Sequence, residues 1–243
     1  MLNSDIKRIC LWSSPRNIST ALMYSFAQRK DTQVYDEPLY GYYLSHTTTK
    51  AHHPGAEEIL ASMENNGTKV IEMMMGAHKK PVVFFKNMTH HLLHIDRSFM
   101  KNCKHIILTR NPKEMLPSFA KVISNPSMND VGYALQTDLM DYFDKLDIPV
   151  VVLDSKRILS NPEAILLELC RQIGIPFNVK MLKWKSGDRP EDGVWAKYWY
   201  ANVHKSQGFN EYTAKSKAFP ERLKPLLDSC IPHYELLMKR AVI

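Results

Sequence analysis

No glycine precedes Gly41 in this 243-residue chain, and the whole sequence holds nine. That scarcity excludes the GxxxxGK[ST] loop, whose glycines wrap a triphosphate and whose lysine reaches its outer phosphates. Cysteine is also scarce. Cys10, Cys103, Cys170 and Cys230 stand far apart with no CxxC pair, which excludes a local zinc motif and supplies no disulfide framework. Buried, reduced thiols are the expectation. No apolar run approaches the roughly 18 residues of a membrane helix. The opening "MLNSDIKRICLW" lacks the basic region, apolar stretch and small-residue cleavage site of a signal peptide. A cytoplasmic protein without membrane attachment is expected. Blocks of about five or six like charges are missing too, although the net charge is +7. Positive charge spread in this way suits an enzyme of polyanionic small molecules, and no nucleic-acid partner is expected.

What remains is ordinary globular material, with 44% hydrophobic and 23% charged residues. The length suits one α/β domain over residues 1–243. "IKRICLW" at 6–12 reads as a strand, and "TQVYDEP" at 32–38 as a second, ended by Pro38. The apolar runs "PVVFFKNM" (81–88), "KHIILTRNP" (104–112) and "IPVVVLDS" (148–155) read as central parallel strands buried on both faces. Helical patterns lie at 19–29, 55–74, 114–123, 128–146, 161–173 and 220–239, with Pro117 expected to kink the third. Strand–helix alternation predicts a parallel sheet of about five strands covered on both sides. Residues 184–209 are rich in Gly, Pro, charge and aromatics and read as a long ordered loop, a type that is usually functional.

Ligands of open parallel sheets bind beyond the carboxyl ends of the strands. Polar residues collect there: Arg16, Asn17, Ser19 and Thr20 after the first strand, Asp36 and Glu37 after the second, Lys86, His90 and His91 after the third, Arg110 after the fourth. In "CLWSSPRNISTALMYSF" (10–26) a helix starting near Ile18 would aim its free N–H groups back at the loop. Those donors, the helix dipole, the Ser19 and Thr20 hydroxyls and the Arg16 charge make an anion site. The competing reading is a plain helix cap by Asn17 or Ser19. In "LTRNPKEMLPSF", Arg110 ends a strand and Ser118 follows eight residues on, so the two can grip one phosphate. The competing reading pairs Arg110 with a nearby acid.

Two motifs together resemble the superfamily of sulfotransferases that use 3′-phosphoadenosine 5′-phosphosulfate (PAPS), in a divergent, bacterial-type branch. The family's first motif is a strand, a Pro-Lys/Arg-Ser-Gly-Thr/Ser-Thr-like loop and a helix. It stands here as Pro15-Arg16-Asn17-Ile18-Ser19-Thr20. The second is a strand followed by Arg-Asn/Asp-Pro, with a serine eight residues after the arginine. It stands here as Arg110-Asn111-Pro112 and Ser118. The resemblance implies a three-layer P-loop-NTPase-like fold, PAPS as donor and PAP as product. It implies that residues 16–20 hold the 5′-phosphosulfate, that Arg110 and Ser118 hold the 3′-phosphate, and that residues 184–209 close over the site. Ile18 departs from the pattern, where glycine is usual.

Sulfuryl transfer needs cations near the leaving phosphate, for which Arg16 and Lys86 are candidates, and no metal. It also needs a general base for the acceptor's hydroxyl or amine. The resemblance offers two. Glu37 in "YDEP" matches a glutamate base of several branches and is favoured. His90, or His91 beside it, loosely matches the histidine of a Lys-Thr-His run in the cytosolic branch. Tyr40, Trp195, Trp199 and Tyr200 are among the aromatics that can line a small-molecule acceptor or adenine pocket. Rival readings are a Mg²⁺-dependent kinase on the same architecture and a binder of single-stranded RNA that stacks bases on the aromatics of 184–209.

Overall fold

The computed structural model describes residues 6–214 and 218–243. Residues 1–5, where the stretch read as unlike a signal peptide begins, lie outside them. The order is β1 (Lys7–Ser13), α1 (Ser19–Ala27), β2 (Thr32–Asp36), α2 (Tyr40–Ser45), α3 (Ala56–Ser62), α4 (Gly67–Met75), β3 (Val82–Met88), β4 (Lys104–Thr109), α5 (Pro112–Phe119), α6 (Met128–Val131), α7 (Tyr133–Lys145), β5 (Val150–Asp154), α8 (Ser155–Ser160), α9 (Pro162–Ile173), α10 (Ala196–Trp199) and α11 (Lys224–Met238). All five strands are parallel, in the order β2-β3-β1-β4-β5. The expected α/β architecture is the observed one.

Alternation along the central strand divides the core. Ile9 and Leu11 of β1 pack with Leu22 and Phe26 of α1 and with Leu166 and Leu169 of α9. Cys10 and Trp12 face the other way, against Val70 and Met74 of α4, Phe143 of α7 and Leu237 of α11. Both faces are therefore dry, which is why β1, β3, β4 and β5 read as unbroken apolar runs. The four cysteines are buried and free of disulfides. No helix among the described residues is long and apolar enough to cross a membrane.

The pattern at 55–74 is two helices, α3 and α4. The Asn66 side chain starts the second by accepting from Lys69 N at 3.1 Å. The pattern at 128–146 breaks at Gly132, whose φ of 69° ends α6 and starts α7. Pro117 lies in the last turn of α5, which stops two residues later at Phe119. Helix α2 was not expected, since Gly41 and three tyrosines hide its periodicity. Residues 184–209 form an irregular ordered segment containing only the short helix α10, as expected.

Candidate active site

The carboxyl ends of the strands open onto a cavity of about 360 Å³. Arg16 to Thr20, Glu37, Lys86, His90, His91, Arg110 and Ser118 all line it, and of the strand-end residues named from the sequence Asp36 alone does not. The segment 184–209 supplies another wall through Trp195, Trp199, Tyr200, Asn202, Val203, Ser206 and Gly208.

The loop between β1 and α1 has an unusual backbone. Arg16 (φ 59°) and Ile18 (φ 62°) are both left-handed, and Asn17 between them is not. Such alternation turns successive amides to one side and makes an anion-binding nest. Ile18 takes the conformation a glycine would adopt, at a cost of roughly 1–2 kcal/mol for a side chain with a Cβ. Neighbouring contacts hold it there. Arg110 Nη1 donates to Arg16 O at 3.0 Å, and Ser155 Oγ to Asn17 O at 2.9 Å. The Asn17 side chain donates to Leu108 O at 3.0 Å, tying the loop to β4. Asn17 is thus no helix cap. Residue Ile18 stands at the N-cap and gives no side-chain hydrogen bond, so the first turn of α1 is left for another acceptor. The buried Ser14 Oγ and Asn17 Oδ1 have no hydrogen-bond partner among the described residues.

The two motifs meet in space. Arg16 Nε donates to Ser118 Oγ at 3.2 Å, and Arg16 Nη1 to Trp199 O at 3.1 Å. Burial, then the nearby Arg110 charge, lowers the pKa of Arg16. Two guanidinium groups this close call for an anion between or beside them. Arg110 also pairs with Glu114 at 3.3 Å, and the Tyr133 hydroxyl donates to its carbonyl at 2.7 Å.

Lys86 is fully buried on β3 and is not a free cation. Its Nζ donates to Asp36 Oδ1 at 2.8 Å, to Glu37 Oε1, and to Tyr200 Oη at 2.8 Å. Burial pulls the Lys86 pKa down, but the Asp36 and Glu37 carboxylates outweigh it and the net shift is upward. Asp36 is saturated, because the Tyr200 hydroxyl donates to it at 2.7 Å and Gly193 N at 3.2 Å. Glu37 sits at φ 44° just past β2, buried rather than solvated. Burial raises its pKa to about 6, with Lys86 opposing and Asp36 assisting.

The histidines are buried in a 3-10 turn at Thr89–Leu92, not exposed at a helix start. Burial lowers the pKa of His90 to about 3 and holds that of His91 well below its usual value. His91 stacks against Tyr40 and Tyr43 at ring separations of 4.9 and 4.7 Å.

Sequence reasoning missed the partners of Lys86. A lysine inside "VVFFKNM" was the available signal, since an ammonium in a strand buried on both faces needs a buried acid. Nothing local marks Tyr200 or Gly193 as closing that cluster.

The model of a sulfotransferase domain family matches residues 7–241. Two Arabidopsis thaliana proteins, named branched-chain-amino-acid aminotransferase-like proteins 1 and 2, are each 40% identical over 228 residues, or 93% of this chain. The chain spans only 40% of their length. Among solved structures, the sulfotransferase domain of the Synechococcus PCC 7002 olefin synthase superposes with a TM-score of 0.52 at 16% identity, covering 94% of this chain and 97% of that one. The sulfotransferase domain from the curacin biosynthetic pathway gives 0.57 at 14%, with coverages of 93% and 98%. The sulfotransferase from Alicyclobacillus acidocaldarius gives 0.57 at 11%, with 97% of each chain covered. At such identities the structures speak for the fold alone, whereas the family match spans nearly the whole sequence. The chain belongs to the sulfotransferase domain family.

Proposed function

We propose that this protein transfers a sulfuryl group from PAPS to a hydroxyl or amine of a small-molecule acceptor, without a metal ion. The supporting observation is the convergence of two anion-binding motifs, joined by the Arg16–Ser118 and Arg110–Arg16 hydrogen bonds, at an uncapped helix start. The donor, when bound, supplies an activated sulfuryl group and a phosphate leaving group. The nest at residues 16–18 and the amides and hydroxyls of Ser19 and Thr20 fit its 5′-phosphosulfate. Arg110 and Ser118 fit its 3′-phosphate, with Arg110 exchanging Glu114 for the ligand. Arg16, between the two motifs, offsets charge that grows on the leaving phosphate.

Glu37 takes the acceptor's proton. It lines the cavity and is ionised at neutral pH, and Lys86 and its backbone fix its direction. Lys86 acts here chiefly by holding this base. His90, neutral at that pH, serves as a hydrogen-bonding group beside it. The same reading keeps the chain as one cytoplasmic domain in which residues 184–209 cover the site, with PAP as product.

Calorimetric titration with PAP in the presence of a chelator tests the donor site. Binding is expected, and Arg110→Ala should weaken it by more than about tenfold, the worth of a charge-assisted phosphate contact. Adenosine 5′-phosphosulfate, lacking the 3′-phosphate, should lose far less affinity. Equal losses would make Arg110 structural. No binding of PAP by the wild-type protein, or product formation only with ATP and Mg²⁺, would overturn the reading.

A further inference from the structure

One group of residues lining the cavity has a distinct composition. Glu37, Tyr40, His53, His90, Asp130 and Trp195 line it. Their rings form one contiguous surface. Tyr40 lies 5.8 Å from His53, 4.9 Å from His91 and 5.2 Å from Trp195, and His90 lies 4.6 Å from His91. The polar ends of the two large aromatics are already used inside the protein. The Tyr40 hydroxyl bonds His53 Nδ1 at 2.7 Å, and Trp195 Nε1 donates to Tyr200 Oη at 3.1 Å. Both rings are packed inside the protein, Tyr40 stacked on His91 and edge-on to Trp195, so they give the cavity little surface.

The net charge of this wall is negative. Lys86, its one lysine among the described side chains, is shared by Asp36 and Glu37, so the trio carries a net negative charge. Asp130 adds a second carboxylate. Arg16 and Arg110 belong to the donor end and point their bonds there. The histidines add no compensating cation, because burial lowers the pKa of His53, His90 and His91 alike. Neutral imidazoles do offer hydrogen bonds, and the buried Nδ1 atoms of His90 and His91 have no partner among the described residues.

We infer that this wall selects acceptors carrying no anionic group: uncharged or cationic hydroxyl compounds, and not acids, phosphate esters or acidic sugars. The inference rests on the PAPS reading above. An anionic acceptor would have to be desolvated between two carboxylates and the polyanionic donor, with no cation to meet it. A neutral alcohol instead places its hydroxyl at Glu37 and further hydroxyls on the histidines.

The test uses three probes with the same phenol body and different tails: tyrosol (neutral), tyramine (cationic) and 4-hydroxyphenylacetate (anionic). A second pair, cyclohexylmethanol and 4-(hydroxymethyl)cyclohexanecarboxylate, repeats the comparison without an aromatic ring. Affinity for the PAP-saturated protein and transfer of label from ³⁵S-PAPS are both read at neutral pH. The uncharged members, and tyramine, should exceed their anionic counterparts at least tenfold. Asp130→Asn should narrow that gap several-fold, while its amide can still cap α6 through the Ser127 N–H. An anionic probe that binds or reacts as well as its neutral match overturns the inference. So does a PAP-loaded protein that engages neither neutral probe, with the donor site left standing. Failure to bind PAP removes the donor reading itself, and the acceptor inference falls with it.

Discussion

Ile18 is the residue on which the first motif departs from its family pattern, and its backbone shows how the departure is tolerated. A β-branched side chain in the left-handed region is strained, yet Ile18 also packs against the core beside α1. Relief of roughly 1–2 kcal/mol of strain on Ile18→Gly is offset by lost apolar contact and by a freer unfolded chain. Stability should therefore change by less than about 1 kcal/mol in urea titrations, with PAP affinity nearly unchanged. Ile18→Pro forces φ to about −65° and deletes an amide of the nest, so PAP binding should fall at least about tenfold. If both variants bind alike, the nest is not the anion site. Glu37 carries the second residue-scale prediction. A base must be deprotonated, and burial sets this carboxyl at about 6. The kcat/KM of the free enzyme should therefore rise with pH through about 6 and level off above it. Glu37→Gln should remove that limb and cut kcat by about a hundredfold or more. A limb near 3 in the wild type, the value burial gives His90, would transfer the role to the histidine.

Strand ends and the helix start do most of the positioning. Glu37 follows β2, Lys86 lies on β3, and the β2–β3 register sets Asp36 directly opposite Lys86. The ion cluster is therefore a product of strand pairing. Lys86→Met would leave Asp36 and Glu37 buried without their cation, which costs about 3–5 kcal/mol when one partner of a buried pair is removed. The Lys86→Met/Asp36→Asn double variant should recover part of that loss, and urea unfolding measures both. Full additivity would mean that the three groups do not interact. These elements explain what could be read beforehand. Five strand-like segments and the residues that follow them indicate the sheet, its parallel sense and, Ser118 apart, the candidates lining the cavity, because strand ends of a parallel sheet converge on one edge. Asp36 stands among the strand-end acids of the sequence, but its pairing does not, because a sequence does not say which acid a buried lysine faces. Nothing in "THHLLHI" says whether His90 and His91 are buried; packing on Tyr40 and Tyr43 decides it.

Across the whole molecule, the late segment is joined to the first strands through their interior rather than over their surface. The Tyr200 hydroxyl reaches Asp36 across 164 residues of chain, and the Tyr24 hydroxyl reaches Asp192 across 168. This has a consequence in time. A contact spanning most of the chain pays a large loop-closure entropy, so the sheet is expected to assemble before Tyr200 arrives. The expected late step is the drying of the Lys86, Asp36 and Glu37 cluster by Tyr200. Tyr200→Phe should accordingly speed unfolding several-fold in stopped-flow experiments while leaving the refolding rate almost unchanged. A slowed refolding limb would place the contact in the nucleus instead. On this account one phenol hydroxyl that docks late lengthens the half-life of the native protein and raises its equilibrium stability by the same factor.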